Sequence, residues 1–275
     1  MLITKLDGNK EAFDSSKLRA SLIKAGTSEA ECDKVIQKIE SELKEGMNTS
    51  LIYRRAYTLL KKQEKGIAAR YSMKRAVLDL GPSGFPFEQF IAEIFKKWGY
   101  STEVGKIIKG ACAKHEIDLY AHKDGKNIAA EMKFHNKLGI KSDLKVALYV
   151  HARFEDIQAN SSNTSPIDER WLVTNTKFTH NAIKYSKCVG LRTVSWSDPP
   201  SGNLNNLIEE SGIQPLTSLT TLSKQEKRAL MERDVVLCRS LFEKQDMMKS
   251  LGFSDSKIET VLSESRSLCG SRNTK

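Results

Sequence analysis

The amino-acid sequence predicts a mixed α/β (α+β) protein built from three consecutive parts, and three observations support this. Several segments carry apolar residues at i, i+3, i+4 and i+7, the spacing of an amphipathic helix. The run 116–135 reads as two short strands around Asp124-Gly125, a dipeptide that favours a tight hairpin turn because both central positions need positive φ. Breaks rich in glycine and proline at 81–86 and 198–202 separate the parts, which we place at 1–80, 84–198 and 202–275.

The composition is that of a soluble globular protein, with nucleic acid as the first candidate partner. The 275 residues are 39% hydrophobic and 28% charged, and the net charge of +10 suits a polyanion such as DNA. No stretch approaches the roughly 18 apolar residues of a membrane span, and the start has no apolar signal-peptide core. The five cysteines form no Cys-x-x-Cys pair, which favours reduced thiols and argues against zinc. We therefore expect a cytoplasmic protein with no membrane partner.

The first part opens with a short hairpin and continues as helices. Residues 2–6 and 11–13 are strand-like, and Asp7-Gly8 lies at the turn between them. Asp14 can cap a first helix through its side-chain oxygen. The apolar residues of that helix are Leu18, Leu22 and Ile23. Further helical segments are expected near 29–45, 49–63 and 65–79.

The middle part begins with a strongly amphipathic helix over 87–100, whose apolar stripe indicates a core surface. The stripe consists of Phe87, Phe90, Ile91, Ile94, Phe95 and Trp98. The hairpin around Asp124-Gly125 follows. Further strands are expected near 144–150, 170–174 and 189–195, with a helix over 179–187 between the last two.

Two carboxylates face each other across the predicted hairpin. With Asp124-Gly125 as the loop, the numbers of opposed residues sum to 249, so Asp118 lies opposite Glu131. Opposed side chains have Cβ atoms about 4.5–5.5 Å apart, and like charges at that separation repel. A hard divalent cation such as Mg²⁺ would remove the repulsion, because it takes carboxylate oxygens, waters and phosphate as ligands. The alternative is an ordinary solvated sheet face.

Lys133 shares the face of Glu131, because side chains alternate along a strand. There it could orient or deprotonate a water, or stabilise charge that develops on a phosphate. His135 falls on the same face, where a lone histidine is more often a structural hydrogen-bonder. The other face of the hairpin is an apolar core surface made of Ile117, Leu119, Ala121, Ile128, Ala130, Met132 and Phe134.

Asp118 followed by Glu131-Met132-Lys133 resembles the D…(E)xK signature of PD-(D/E)xK nucleases, and the middle part is similar to the Mrr-type branch. The segments 87–100 and 173–187 resemble that branch's first core helix and its later strand-to-helix segment. This resemblance implies a restriction-endonuclease-like three-layer core and a DNA endonuclease dependent on Mg²⁺ or Mn²⁺. It also implies that Asp118 and Glu131 hold the metal, that Glu88 supplements them and that Lys133 assists the attacking water. No proline precedes Asp118, which departs from the pattern of some members.

The segment 3–18 resembles the start of an ATP-cone, a small nucleotide-binding domain best known as a regulatory cap of ribonucleotide reductases. The resemblance covers nearly all of 1–80 and implies ATP or dATP as a regulatory ligand. The residues that match its contacts are Lys5 in the hairpin, Lys17 at the first helix, and Thr49 and Arg70 in later helices. Leu6 and Tyr53 depart from residues common in the family. No Gly-rich phosphate loop is present, so ATP hydrolysis by a P-loop is not supported.

The third part, 202–275, is predicted to be a helical accessory domain. Its turn at Gly252, before Lys257, resembles a helix-hairpin-helix element, and a DNA-binding or dimerising role stands beside simple core packing. One nuclease site cuts one strand per event, so double-strand cleavage requires a homodimer or sequential nicks. Two alternatives stay open: a non-catalytic nucleotide-responsive DNA-binding protein built on a nuclease fold, and a nuclease directed at RNA or repair structures.

Overall fold

The computed structural model describes residues 1–5, 8–162 and 166–269, and its backbone contacts divide the chain into two compact units. The first unit comprises Met1–Ala76, Leu216–Lys227 and Cys238–Lys275. The second comprises Val77–Pro215 and Arg228–Leu237. The mixed α/β class is confirmed, whereas the segment 202–275, expected as one helical domain, is divided between the two units.

The first unit begins with a three-stranded sheet followed by helices. Its strands are β1 Leu2–Thr4, β2 Lys10–Ala12 and β3 Met47–Asn48, in the order β2-β1-β3. Its helices are α1 Ser15–Lys24, α2 Glu29–Glu42, α3 Thr49–Gln63, α4 Lys65–Tyr71 and α5 Met73–Leu78, the last crossing into the second unit. The predicted hairpin is present as β1 and β2, while Leu6 of the predicted first strand and Asp7 of the predicted turn lie outside the described residues.

Side-chain caps fix where the helices of this unit begin. Asp14 accepts a hydrogen bond from the backbone N–H of Ser16, as the sequence predicts, and Asn48 caps α3 in the same way. Leu22 is fully buried, whereas Ile23 is 38% exposed and lies outside the core. The core of the unit is formed mainly by Leu22, Cys32, Val35, Ile39, Ala56, Leu60 and Ala68.

The second unit contains a five-stranded sheet and the helices that cover it. Its strands are β4 Ser101–Lys109, β5 Lys114–Lys123, β6 Lys126–Lys133, β8 Glu169–Thr174 and β10 Leu191–Val194, and a separate two-stranded pair is β7 Lys141–Ser142 and β9 Lys177–Phe178. Its helices are α6 Phe85–Lys97, α7 Leu144–Ala159, α8 His180–Cys188 and α9 Leu204–Ser211, and α10 Lys224–Met231 bridges the two units in sequence.

The five strands lie in the order β10-β8-β6-β5-β4. The pairs β4–β5 and β5–β6 are antiparallel, and β6–β8 and β8–β10 are parallel. Phe95 of α6 packs edge-on against Trp171 of β8, while the next residue, Leu172, belongs to the core formed with α7 and α8. Because neighbouring strand residues point to opposite faces, helices cover both faces of this sheet.

C-terminal residues complete the first unit. They form α11 Gln245–Ser250 and α12 Asp255–Cys269, with two short 3-10 turns at Leu216–Ser218 and Arg239–Glu243. The turn at Gly252 separates α11 from α12, as the sequence predicts. Glu264 of α12 is buried and accepts hydrogen bonds from the backbone N–H groups of Thr220 and Thr221, which ties this segment to the helix.

The predicted hairpin register is confirmed. The pairs run from Lys123↔Lys126 to Leu119↔Ala130, all consistent with the sum of 249, and the turn residues Asp124 and Gly125 both have positive φ. The assigned ladder ends one pair before Asp118 would meet Glu131.

The predicted strand near 144–150 is wrong, because these residues begin helix α7. Asp143 caps the helix by accepting hydrogen bonds from the N–H groups of Lys145 and Val146. The buried residues of α7 then repeat at helical spacing: Ala147, Val150, Phe154 and Ile157. Strand β4, which pairs with the outer side of β5, was not predicted separately.

The expectation of one apolar and one polar hairpin face is also wrong. Tyr120 and Ala129, on the same face as Glu131 by alternation, are buried in the core beneath α7 and α8. Glu131 is consequently buried as well. No helix in the described ranges is both long and apolar enough to cross a membrane.

Candidate functional site

Asp118 lies at an opening between three strands. The β4–β5 pairs stop at Val104↔Leu119 and resume at Lys106↔Ile117, so Gly105, with φ of +68°, interrupts the ladder opposite Asp118. On the other side, Asp118 Oδ2 accepts a 2.6 Å hydrogen bond from the backbone N–H of Met132. The carboxylate thereby takes the place of a main-chain acceptor and is held beside β6.

Glu131 is the most deeply buried carboxylate of this site, with its side chain 1% exposed. Its Oε1 accepts a short hydrogen bond from Arg153 Nη1, and its Oε2 lies 3.9 Å from Lys133 Nζ. Burial, followed by the charge of Asp118, raises the pKa of Glu131 to about 7, while Arg153 and Lys133 oppose that rise. The site thus holds a carboxylate whose charge depends on nearby cations.

Burial also raises the pKa of Asp118, although the Met132 N–H and the charges of Lys133 and Arg153 act in the opposite direction. Glu88, in the first turn of α6, is half-buried, and its pKa is raised to about 7 by burial, then by Asp118 and Glu116. The structure therefore brings Asp118, Glu131, Lys133 and Glu88 into one electrostatic cluster.

The cluster fits a hard divalent cation in the chemistry of its donors, which are carboxylate oxygens. Asp118 Oδ1 accepts no hydrogen bond from the described residues, so one oxygen of that carboxylate is available as a ligand. Within the same ranges, no three His, Cys, Asp or Glu side chains are already grouped as metal ligands. Glu131 is held instead by Arg153 and Lys133.

Arg153 is a member of the site that the sequence analysis did not identify. It projects from α7, and its side chain is 14% exposed. Besides Glu131, it donates from Nη1 to the carbonyl oxygen of Glu116 at 2.8 Å and from Nη2 to the hydroxyl of Tyr149. The signal that could have revealed it is the helical spacing of α7, which places Tyr149 and Arg153 one turn apart.

His135 lies past the end of β6 rather than on its face. Its backbone N–H donates to Asn175 Oδ1 at 2.8 Å, and its Nε2 lies 3.0 Å from Ser142 Oγ. Burial and the charge of Lys133 lower the pKa of His135. Thr174 Oγ1 donates to the carbonyl oxygen of Lys133 at 2.7 Å and fixes the end of β6. His135 therefore has a structural role in this arrangement.

A separate cavity of about 190 Å³ lies in the first unit. Its lining residues are Ile3, Glu11, Phe13, Asp14, Lys17, Leu18, Thr49, Ile52, Tyr53 and Tyr71. Two of the predicted nucleotide contacts, Lys17 and Thr49, are thus in its wall. Lys5 Nζ lies 2.7 Å from the carboxylate of Glu11, and Lys17 Nζ lies 3.7 Å from it. The hydrogen bond from Lys5 holds the pKa of Glu11 below its ordinary value.

The structure does not bring Arg70 to this cavity. Its Nε donates to the carbonyl oxygen of Ala25 at 2.7 Å, and its Nη2 lies 4.0 Å from Glu64. Tyr53 and Tyr71 do line the cavity, and their rings stack with centroids 5.2 Å apart and planes 13° from parallel. An aromatic wall beside two lysines suits a ligand with a planar base and phosphates.

Comparison with known proteins identifies two regions of this chain. Residues 1–79 match the family model described as the ATP cone domain, which confirms that resemblance. Residues 215–269 match the model described as AF1548-like, C-terminal. These matches show no Mrr-type or restriction-endonuclease family, so that resemblance stays a prediction.

One relative and one solved structure are similar over much of the chain. An uncharacterized protein of Archaeoglobus fulgidus is 33% identical over 181 residues, which are 66% of this chain and 100% of the relative. The crystal structure of AF1548, described as a protein of unknown function, has a TM-score of 0.57 at 30% identity. That match covers 69% of this chain and 100% of the other.

Proposed function

This chain belongs to the AF1548-like family and carries an N-terminal ATP-cone, and from that premise we propose that it is a Mg²⁺- or Mn²⁺-dependent DNA endonuclease controlled by ATP or dATP. The observation that carries the proposal is the convergence of Asp118, Glu131 and Lys133 at the opening in the sheet, with Glu88 beside them.

The order of elements supports the proposal. Helix α6 is followed by the antiparallel strands β4, β5 and β6. After the short β7 come helix α7 and then β8, which is parallel to β6. The resemblance places its first core helix at 87–100 and its later strand-to-helix segment at 173–187, which correspond here to α6 and to the end of β8 with α8. The two carboxylates come from neighbouring strands of that core, and the lysine comes from the end of β6.

In this proposal, Asp118 and Glu131 hold the metal ion, with Glu88 as a supplementary ligand. A bound Mg²⁺ or Mn²⁺ supplies Lewis acidity toward the phosphodiester and lowers the pKa of a bound water. The hydrogen bond from the Met132 N–H to Asp118 Oδ2 holds the Asp118 carboxylate against β6, next to Glu131. Preorganisation of this kind reduces the motion needed to bind a cation.

Lys133 acts on the reacting groups. Its side chain is one-third exposed and its Nζ lies 3.9 Å from Glu131 Oε2, so it can reach both the carboxylate and a substrate phosphate. There it orients the attacking water or stabilises the charge that develops on the phosphorane. The net charge of +10 adds sequence-independent affinity for the DNA backbone.

The ATP-cone supports nucleotide binding, and the cavity beside Lys17 and Thr49 is the proposed site. In the structure, Lys5 and Lys17 converge on the single carboxylate of Glu11. A nucleoside triphosphate carries several negative charges and would compete with Glu11 for Lys5 and Lys17. A change in these ion pairs gives the domain a means to report nucleotide binding.

The test is cleavage of supercoiled and linear plasmid by the full chain with Mg²⁺ or Mn²⁺, with and without ATP and dATP. We expect metal-dependent nicking that is lost in Asp118→Ala and Lys133→Ala and retained in Lys114→Ala, an exposed lysine at the start of β5. A nucleotide effect on the rate would connect the two domains. No cleavage by the wild type, with DNA binding intact, would instead favour a non-catalytic DNA-binding regulator. Cleavage of RNA or branched DNA alone would redirect the substrate assignment.

A further inference from the structure

Arg153 is the cation in closest contact with the buried carboxylate of Glu131. Its Nη1 donates directly to Glu131 Oε1, whereas Lys133 Nζ is 3.9 Å from Oε2. Both Glu131 and Arg153 are shielded from water, with side chains 1% and 14% exposed. A carboxylate in such surroundings remains charged only with a counter-charge nearby. Arg153 thus supplies positive charge to Glu131, as a bound metal ion would.

The guanidinium and a metal ion also compete for the same carboxylate. A cation that uses Glu131 as a ligand binds through its carboxylate oxygens, and Oε1 already accepts the Arg153 hydrogen bond. The two positive charges would in addition repel each other across a site of low dielectric constant. Coordination of the metal by both oxygens of Glu131 would therefore weaken or replace the Arg153 hydrogen bond to Oε1.

Arg153 has other acceptors that would retain it after the loss of that hydrogen bond. Nη1 also donates to the carbonyl oxygen of Glu116 at 2.8 Å, and Nη2 donates to the Tyr149 hydroxyl. The guanidinium carbon lies 4.8 Å from the centroid of the Tyr149 ring. Tyr149 is itself 58% exposed, so the ring has room to move with the guanidinium. Arg153 would then lose its hydrogen bond to Glu131 and keep its contacts with Glu116 and Tyr149.

We propose that Arg153 is a positioning residue that holds Glu131 and competes with a divalent cation for it, so that it sets the metal concentration at which the site fills. This inference rests on the proposed function, since it takes Glu131 as a metal ligand. In this proposal Tyr149, one helical turn before Arg153, orients the Arg153 guanidinium.

The experiment measures Mn²⁺ binding to the full chain by calorimetry and by electron paramagnetic resonance, without substrate. Arg153→Gln removes the charge and is expected to bind Mn²⁺ about tenfold more tightly, equivalent to about 1.4 kcal/mol. Arg153→Lys, which keeps the charge, should remain close to wild type. Lys145→Gln removes an exposed positive charge from the same helix and should leave the affinity unchanged.

The outcomes separate this inference from the proposed function. Mn²⁺ binding by the wild type that is equal or weaker in Arg153→Gln overturns the role of Arg153 and leaves the nuclease proposal standing. Absence of Mn²⁺ binding by the wild type overturns both. If Arg153→Gln does not fold, Tyr149→Phe serves as the second variant, because it keeps the guanidinium but removes the hydroxyl that orients it. Tyr149→Phe should tighten Mn²⁺ binding by a smaller factor, and unchanged or weaker binding in it overturns the inference.

Discussion

Asp118 Oδ2 accepts a 2.6 Å hydrogen bond from the backbone N–H of Met132, the residue between Glu131 and Lys133. This bond joins the two strands at the point where their main-chain ladder ends. Asp118, the proposed metal ligand, therefore has a structural role as well. Loss of charge and loss of the hydrogen bond at Asp118 are therefore separable effects, and the choice of substitution decides which is measured.

Asp118→Ala and Asp118→Asn should differ in stability but not in cleavage. Alanine leaves the buried Met132 N–H without its acceptor, which costs about 1–3 kcal/mol. Asparagine retains an acceptor oxygen and should remain close to wild type in stability. Both variants lose the negative charge, so metal-dependent cleavage should be lost in both. Urea unfolding and plasmid nicking measure the two effects, and equal destabilisation by the two substitutions would contradict the structural role.

Lys133→Ala should lower the rate of metal-dependent cleavage by about 100-fold or more, because Lys133 acts on the water or on the developing phosphorane charge. DNA binding should change little, since Lys133 supplies one of many positive charges. Single-turnover cleavage and a binding titration at the same salt concentration separate the two properties. A parallel loss of binding and cleavage would identify Lys133 as a DNA contact only.

The sequence predicts the strand part of the carboxylate site but not helix α7, which covers it. The turn chemistry of Asp124-Gly125 and the strand alternation predicted the register that brings Asp118 beside β6. The run 146–150 contains two valines and a tyrosine, which locally favour a strand, so the sequence predicts a strand here. Tertiary packing and the Asp143 cap make it the start of α7 instead. That error concealed both the burial of Glu131 and the presence of Arg153.

Glu88→Gln should change how stability depends on pH. The pKa of Glu88 is raised from 4.5 to about 7, first by burial and then by the charges of Asp118 and Glu116. A carboxyl with a raised pKa in the fold contributes stability that is present below its unfolded pKa and is lost as pH rises through the folded value. The wild type should therefore lose stability relative to Glu88→Gln between about pH 4.5 and about pH 7.

Differential scanning calorimetry across this pH range, without divalent metal, measures the difference for Glu88. Glu93→Gln, on the same helix but outside the carboxylate cluster, is the matched control and should follow the wild type. Midpoints for wild type and Glu88→Gln that stay parallel at every pH would mean that Glu88 is not coupled to the cluster. Addition of Mg²⁺ should reduce the wild-type loss at high pH, because a bound cation favours the charged carboxylates.

Lys17 and Arg70, which the ATP-cone resemblance groups together, should respond differently to substitution. Lys17 lines the cavity and lies 3.7 Å from Glu11, so Lys17→Ala should weaken ATP or dATP binding with little change in the unfolding midpoint. Arg70 donates to the Ala25 carbonyl, so Arg70→Ala should lower the unfolding midpoint instead.

Calorimetric titration with each nucleotide and thermal unfolding of the same samples measure both effects. Lys34→Ala, an exposed lysine on α2, is the control for loss of a positive charge and should match the wild type in both. If Arg70→Ala lost nucleotide affinity while keeping its midpoint, Arg70 would be a direct contact, and the ligand would extend beyond the cavity. The opposite pattern places recognition at the part of the cavity wall formed by Lys17, Thr49 and the Tyr53–Tyr71 stack.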